Sequence, residues 1–294
     1  MTLDHHPPVR PPDELDLTPL TAARTLLVAL DFDGVIAPLQ DDPDTSAPLP
    51  DSAQAVAALA ALPHTPVGYI SGRSIAALQH LSKAPSGAIF IGSHGLETDF
   101  SALGPAQPTD VSDDGLPRYS APLTAAETEA LSALDAAFED IRARTPADGH
   151  GELRIERKPL GRTAHTRATS GERATYFAAE LTSLAERMPH LRSFAGHAMT
   201  EFAVRMETKG HGLARMIEAT GADAVVFLGD DTTDEDAFAH LLERTDVVSL
   251  PVKVGTQVTC APYRIADPEA VSTFLGRLAE ERGRDLGDGP TGIA

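Results

Sequence analysis

Four times in this chain a short apolar run stops abruptly at a cluster of polar residues and glycine. Residues 25–30 (TLLVAL) run into Asp31-Phe-Asp33-Gly, and residues 66–70 (PVGYI) into Ser71-Gly72-Arg73. Residues 88–91 (AIFI) run into Gly92-Ser-His94-Gly95, and residues 224–228 (AVVFL) into Gly229-Asp230-Asp231. Runs without polar alternation are what strands buried on both faces look like. Helical patterns at 52–62, 74–81 and 234–242 separate them, and 247–250 is a further strand-like run. Strands alternating with helices of this size predict an α/β fold, a Rossmann-like doubly wound parallel sheet. In such a sheet, chemistry belongs beyond the carboxyl ends of the strands, where all four polar clusters fall.

The middle of the chain follows another rhythm. Residues 103–122 are rich in Pro, Gly and Asp, a linker composition. A helical pattern over 124–144, strand patterns over 152–157 and 162–169, a helix over 172–188 and a strand over 191–194 predict an α+β unit set into the α/β one. The expected organisation is a core of 21–110 and 198–282, an inserted cap of 111–197, and flexible tails at 1–20 and 283–294. The prolines before residue 20, and the Gly and charge after 283, argue for the tails. The linker and the short path from Phe194 to Glu201 are expected to act as two hinges of the cap.

Charge narrows the function. A net charge of −19 argues against nucleic-acid backbones and anionic membrane surfaces as partners. The single cysteine, Cys260, allows no internal disulfide and points to a reducing cytoplasm. No apolar run is long enough for a membrane-spanning helix.

Asp-x-Asp-Gly by itself is as often a turn as a site. Here it directly follows a buried strand, and Gly229-Asp230-Asp231 does the same. Between residues 230 and 236 stand five acids, of which the later ones suit a helix N-terminus. The strand-end aspartates have no such explanation, since like charges this close repel unless a cation or a shared proton offsets them. Oxygen ligands of this kind suit a hard divalent cation, Mg2+ by default. The histidines lack zinc-ligand spacing, and the chain has neither a G-x-x-x-x-G-K-[ST] loop nor a G-x-S-x-G elbow. Metal, carboxylates, Ser71 and a lysine together point to phosphoryl transfer.

With these motifs the chain resembles the haloacid-dehalogenase-like phosphatases: Asp31-x-Asp33-Gly-Val35, Ser71, Lys209 and Gly229-Asp230-Asp231 match their four motifs in order. It resembles the trehalose-6-phosphate phosphatase family within them. That likeness rests on Ser71-Gly-Arg73, Gly92-Ser-His94-Gly-Leu-Glu97, His165-Thr-Arg167, Glu201 eight residues before Lys209, and the segment from Val254 to Tyr263. The chain departs from the family pattern at Ser93, Thr166 and Val204. The resemblance implies a phosphoric monoester hydrolase acting on trehalose 6-phosphate in trehalose biosynthesis. Asp31 would be the nucleophile, Asp33 the general acid and base, and Ser71, Gly72 and Lys209 the phosphate holders, with Arg73 among the substrate contacts. Mg2+ would sit on Asp31, the Asp33 main-chain carbonyl and Asp230, with Asp231 and Asp234 close by. For the sugar it implies His94, Gly95, Glu97 and Glu201 on the core side, and Lys158, His165 and Arg167 on the cap side. A cytoplasmic monomer is expected. A related capped sugar phosphatase, acting on sucrose phosphate or a glycosylated phosphoglycerate, stays open as an alternative. So does an inactive sugar-phosphate-binding subunit, against which the retained aspartates and Lys209 argue.

Overall fold

The computed structural model describes residues 8–104, 123–196 and 198–287. Packing divides the chain into two compact units, residues 120–206 forming one and the flanking segments the other.

In the flanking unit the expected strands form around β1 (Leu26–Leu30), β2 (Val67–Ile70) and β3 (Ile89–Gly92), followed by a short β4 (Glu97–Asp99). After residue 206 come β9 (Ala224–Gly229), β10 (Val248–Val254) and β11 (Tyr263–Ile265), which continue the sheet in the order β11-β10-β9-β1-β2-β3-β4. Every pairing is parallel except β3 with β4, so the sheet is mixed only at one edge. β1 shows why its sequence is apolar throughout. Leu26, Val28 and Leu30 pack on one side, against α2 (Pro50–Ala61) and α8 (Pro268–Gly287). Leu27 and Ala29 pack on the other, against α6 (Lys209–Thr220) and α7 (Glu235–Glu243). Two apolar layers on one strand leave no place for a polar residue until Asp31.

Both expected tails are corrected where they are described. Leu15, Leu17 and Leu20 are buried in the core, the last on a short helix α1 (Thr18–Thr21). Helix α8 runs on past residue 283 to Gly287 and buries Arg282, 1% exposed, whose guanidinium donates to the carbonyls of Thr21, Ala23, Arg24 and His64. One arginine thereby ties the chain before β1 to the C-terminal helix, which neither local composition announces. The first seven residues, the last seven and most of the expected linker, residues 105–122, lie outside the described residues.

The other unit holds α4 (Ala125–Ala143), β5 (Arg154–Lys158), β6 (Gly161–His165), α5 (Glu172–Arg187), β7 (Arg192–Gly196) and β8 (Met199–Ala203). Helix α4 starts at a capping box: Thr124 Oγ1 accepts from the Glu127 amide and Glu127 Oε2 from the Thr124 amide. Its strands form an antiparallel sheet in the order β5-β6-β8-β7. Leu134, Phe138, Phe177 and Leu181 of the helices pack with Ala164 and Phe202 of the sheet. Strand periodicity places Glu156, Lys158, Thr163, His165 and Glu201 together on the opposite face.

Strand β8 corrects the expected return to the core at residue 198. Strand β7 pairs antiparallel with β8 inside this sheet, Phe194 opposite Glu201, and the return falls at Glu207. Glu201 therefore belongs to the second sheet and not to the core side. Gly196 and the alternation around it were a hairpin signal in the sequence.

Candidate active site

Asp31 is the first residue past β1, and its amide donates to the Leu228 carbonyl of β9, so neighbouring strand ends are held level. Its carboxylate is buried and accepts from Lys209 Nζ at 2.7 Å. The same ammonium donates to Asp234 Oδ1, also at 2.7 Å. Lys209 opens helix α6, a position where the helix dipole disfavours a cation, and it is 2% exposed. Only its two carboxylate partners make that placement tenable; they outweigh burial and keep the ammonium protonated.

Asp230 completes the cluster: one carboxylate oxygen from each of Asp31, Asp230 and Asp234 lies within 4.8 Å of the others. Gly34 makes room for it. Its φ is +74°, and a Cβ there would stand 2.1 Å from an Asp230 oxygen. Three carboxylates gather and the one ammonium bonds only two of them, so negative charge is in excess. Burial, then the charge of Asp234 against Lys209, pushes the Asp230 carboxyl up to about 7. Burial likewise raises Asp31 well above the usual carboxylate range, Lys209 opposing and Asp234 and Asp230 adding to the rise. Such a set must take up a proton or a cation, and hard oxygen donors fit a hard divalent ion.

The carboxylates that gather are not quite those expected. Asp231 turns away and caps the turn that follows, accepting from the Thr232 amide at 2.7 Å. Asp234, three residues on, turns inward and its second oxygen accepts from the Asp231 amide at 2.9 Å. The Asp33 carboxylate is engaged elsewhere, by Arg73: Nε donates to Oδ2 at 2.6 Å and Nη2 to Oδ1 at 2.8 Å. Arg73 thus meets a carboxylate of its own chain where a substrate contact was expected.

Ser71 follows β2; its amide donates to the Ile91 carbonyl and its hydroxyl accepts from the Arg73 amide at 3.2 Å. Gly72 lies against the His94 ring, which a Cβ there would approach to 2.5 Å. Ser93, His94 and Gly95 have φ of 48°, 55° and 108°, three successive left-handed residues after β3. For the first two this conformation costs roughly 1–2 kcal/mol each. Glu97 braces the turn: Oε1 accepts from the Ser93 hydroxyl at 2.5 Å and Oε2 from the Ile75 amide at 3.1 Å. Ile75 begins helix α3 (Ile75–Ser82), so Glu97 joins two strand-end loops. Both its oxygens serve the fold, a use the sequence reading did not assign. Gly95 approaches the Thr208 carbonyl, which a Cβ would meet at 2.3 Å, and its own carbonyl accepts from Arg215.

Lys253 was missed altogether. It is fully buried on β10 and donates to the Asp231 carbonyl at 3.1 Å and to Glu235 Oε1 at 3.2 Å. Glu235 in turn accepts from the Thr259 hydroxyl and the Cys260 amide, so the 254–263 segment is tied to the acidic loop. A lysine inside an apolar strand was the available signal.

In the second unit, Lys158 Nζ donates to Glu201 Oε2 at 2.6 Å, both side chains buried, and the Thr163 hydroxyl donates to the same oxygen at 3.3 Å. His165 Nε2 stands 3.0 Å from Glu156 Oε2, and Arg167 is exposed in the loop after β6.

A doubly wound sheet whose strand ends gather a surplus of aspartates around one buried lysine defines a phosphoryl-transfer class of α/β protein. The family profile for trehalose-phosphatase matches residues 29–269, and the chain belongs to that family. A trehalose-phosphate phosphatase of Mycobacterium leprae is 30% identical over 92% of this chain. The trehalose 6-phosphate phosphatase RA3 of Zea mays is 27% identical over 90% of it. The chain spans 62% of the length of the first and 73% of the second. Among solved structures, the C-terminal domain of C. albicans trehalose-6-phosphate phosphatase superposes with a TM-score of 0.71 at 22% identity, covering 95% of this chain and 99% of that one. Among the described residues, no helix is long and apolar enough to cross a membrane.

Proposed function

We propose that this chain hydrolyses the phosphate ester of trehalose 6-phosphate through a covalent aspartyl-phosphate, as a cytoplasmic monomer. The observation that carries the reading is the surplus of buried carboxylates around Lys209 at the ends of β1 and β9. A protein that only bound the ester would gain nothing from burying a nucleophile against such repulsion. Asp31 attacks phosphorus, and Lys209, held between Asp31 and Asp234, opposes the rise that burial gives this carboxyl and holds it in place. The ester P–O bond breaks as Asp33 gives a proton to the departing sugar oxygen. In the second step Asp33 takes a proton from the water that releases phosphate, so one residue serves both directions. Ser71, the Gly72 amide and Lys209 hold the phosphoryl oxygens. Asp31, Asp230 and the Asp33 carbonyl, with Asp234 beside them, would hold a magnesium ion, which would supply charge neutralisation at the phosphoryl group.

For the sugar we assign Lys158, Glu201 and His165 on the polar sheet face, and Arg167 beside them. Carboxylates and hydroxyl-binding cations reject analogues that leave them unpaired. The relatives' names support the same substrate.

The test is phosphate release from trehalose, sucrose and glucose 6-phosphates and p-nitrophenyl phosphate, with chelator and with Mg2+. Trehalose 6-phosphate is expected to give the highest kcat/KM, with no turnover in chelator. Glu201→Ala and Arg167→Ala should lose far more on trehalose 6-phosphate than on the generic ester. A preference for sucrose phosphate, or equal losses on all esters, overturns the assignment.

A further inference from the structure

Lys253 is a charged residue near the end of an otherwise apolar strand. Its neighbours Val252 and Val254 pack into the layer with α2 and α8, so the alternation of β10 turns Lys253 to the other side, where α7 begins at Glu235. The register sets it opposite Gly229, the last residue of β9 and the one before Asp230. At Gly229 the chain folds back closely: a Cβ there would stand 2.3 Å from Asp234 Cγ. The turn from Asp231 to Asp234 therefore lies over the end of β9, within reach of the lysine.

Asp231 is held on both sides of its α-carbon. Its amide donates to Asp234 Oδ2 at 2.9 Å, and its carbonyl accepts from the Asp234 amide at 3.2 Å and from Lys253 Nζ at 3.1 Å. Of these donors only Lys253 comes from outside the turn. The lysine is anchored in its own right by Glu235 Oε1 at 3.2 Å, while Glu235 Oε2 accepts from the Thr259 hydroxyl and the Cys260 amide.

The carboxylates of Asp230 and Asp234 repel each other, and a turn left loose would let them part. The nearer they are held beforehand, the less of a cation's binding free energy goes into gathering them. We propose that Lys253 is a positioning residue for the divalent cation: through the Asp231 carbonyl it fixes the turn that sets Asp234 beside Asp230. The inference rests on the phosphatase reading above, in which these carboxylates surround magnesium. Charge alone predicts the reverse effect, since a lysine near a cation site repels the cation and its removal would tighten binding. Positioning predicts weaker binding, so the sign of the change separates the two.

The measurement is Mg2+ binding to the full chain without substrate, by isothermal calorimetry. In Lys253→Met the dissociation constant should rise about 10- to 100-fold, the usual effect of losing a partner that orients a metal ligand. That variant leaves the Glu235 carboxylate without its ion-pair partner, so Lys253→Met combined with Glu235→Gln is measured beside it. The double variant removes one charge of each sign, for which charge alone predicts little change, yet it should show the same loss. Phosphate release from p-nitrophenyl phosphate should need correspondingly more Mg2+, with kcat at saturating Mg2+ within about 3-fold of the wild type, because Lys253 acts through the turn and not on the ester. Tighter binding in Lys253→Met, or an unchanged constant in the double variant, would overturn the proposal. So would a double variant without a cooperative thermal transition, which would make Lys253 a residue of the fold alone. Each of those results leaves the phosphatase reading intact. A wild-type chain that binds no Mg2+ and releases phosphate from no ester overturns both.

Discussion

The two sheets of this protein treat charge in opposite ways. At the strand ends of the first, three carboxylates gather beside one ammonium that bonds two of them, and burial raises the cost of the imbalance. On the polar face of the second, charges come in pairs: Lys158 with Glu201, His165 with Glu156. A balanced pair is satisfied within the fold. An unbalanced cluster is unsatisfied until something positive arrives. On the proposed reading, the surplus charge suits the first sheet to a cation and an anionic ester, and the paired charges suit the second to recognition.

The comparison can be broken at its strongest point by Asp31→Asn. It preserves shape and removes the proposed nucleophile, so phosphate release should fall at least ~10³-fold, as losses of nucleophiles in other enzymes do. The thermal transition should remain near that of the wild type or above it, because one of three crowded charges is gone. Turnover within 10-fold of the wild type, an order-of-magnitude threshold, would remove Asp31 from the chemistry.

Next in size is a matched pair of lysine deletions. Lys209→Met orphans two carboxylates beside a third, and the loss of a buried partner costs about 3–5 kcal/mol. Lys158→Met orphans Glu201 alone, with Thr163 still donating to it. Urea unfolding without divalent cations should show the first variant losing more, and added Mg2+ should rescue it alone. Equal losses, or rescue of both, would erase the distinction between the sheets.

The sign of the pH dependence sharpens the same point. The Asp230 carboxyl is pushed up to about 7 from an ordinary 3.8, so the folded chain binds its proton more tightly than the unfolded chain. This contribution to stability is full below about pH 4 and is lost as pH rises through about 7. A cation replaces the proton, so the Tm increment from Mg2+ should grow between pH 5 and pH 8. An increment independent of pH would mean that the ion binds elsewhere. The smallest effect belongs to the second unit. Thr124→Ala removes one half of the capping box on α4 and should cost about 1 kcal/mol in denaturant unfolding, with kcat for p-nitrophenyl phosphate unchanged.

Much of this was legible in the residues. A strand apolar at every position can only be buried on both faces, so the β1 and β9 runs declared their sheet and the polar ends declared where its site lies. Asp31, Asp230 and Lys209 were found that way and by family likeness, and the structure brings them together. The second unit's helices and three of its strands were also readable from periodicity. Strand β8 was not, because the path from Phe194 to Glu201 reads in the sequence as a connection between units.

What the sequence determined by itself is the alternation of elements, the apolar layers and the list of groups at the strand ends, since these follow from local periodicity and chain direction. What only the tertiary structure decided is which partner each charge meets. Asp234 and not Asp231 faces Lys209, because the capping geometry of a three-residue turn points one carboxylate inward and spends the other on the backbone. Glu97 braces two loops, and Arg282 gathers the carbonyls of Thr21, Ala23, Arg24 and His64. Ser46 and Arg73 meet at Asp33 across 13 and 40 residues of chain. Such pairings carry no local signature: a hydrogen bond acts over about 3 Å of space, and which residues come that close depends on how every intervening element packs.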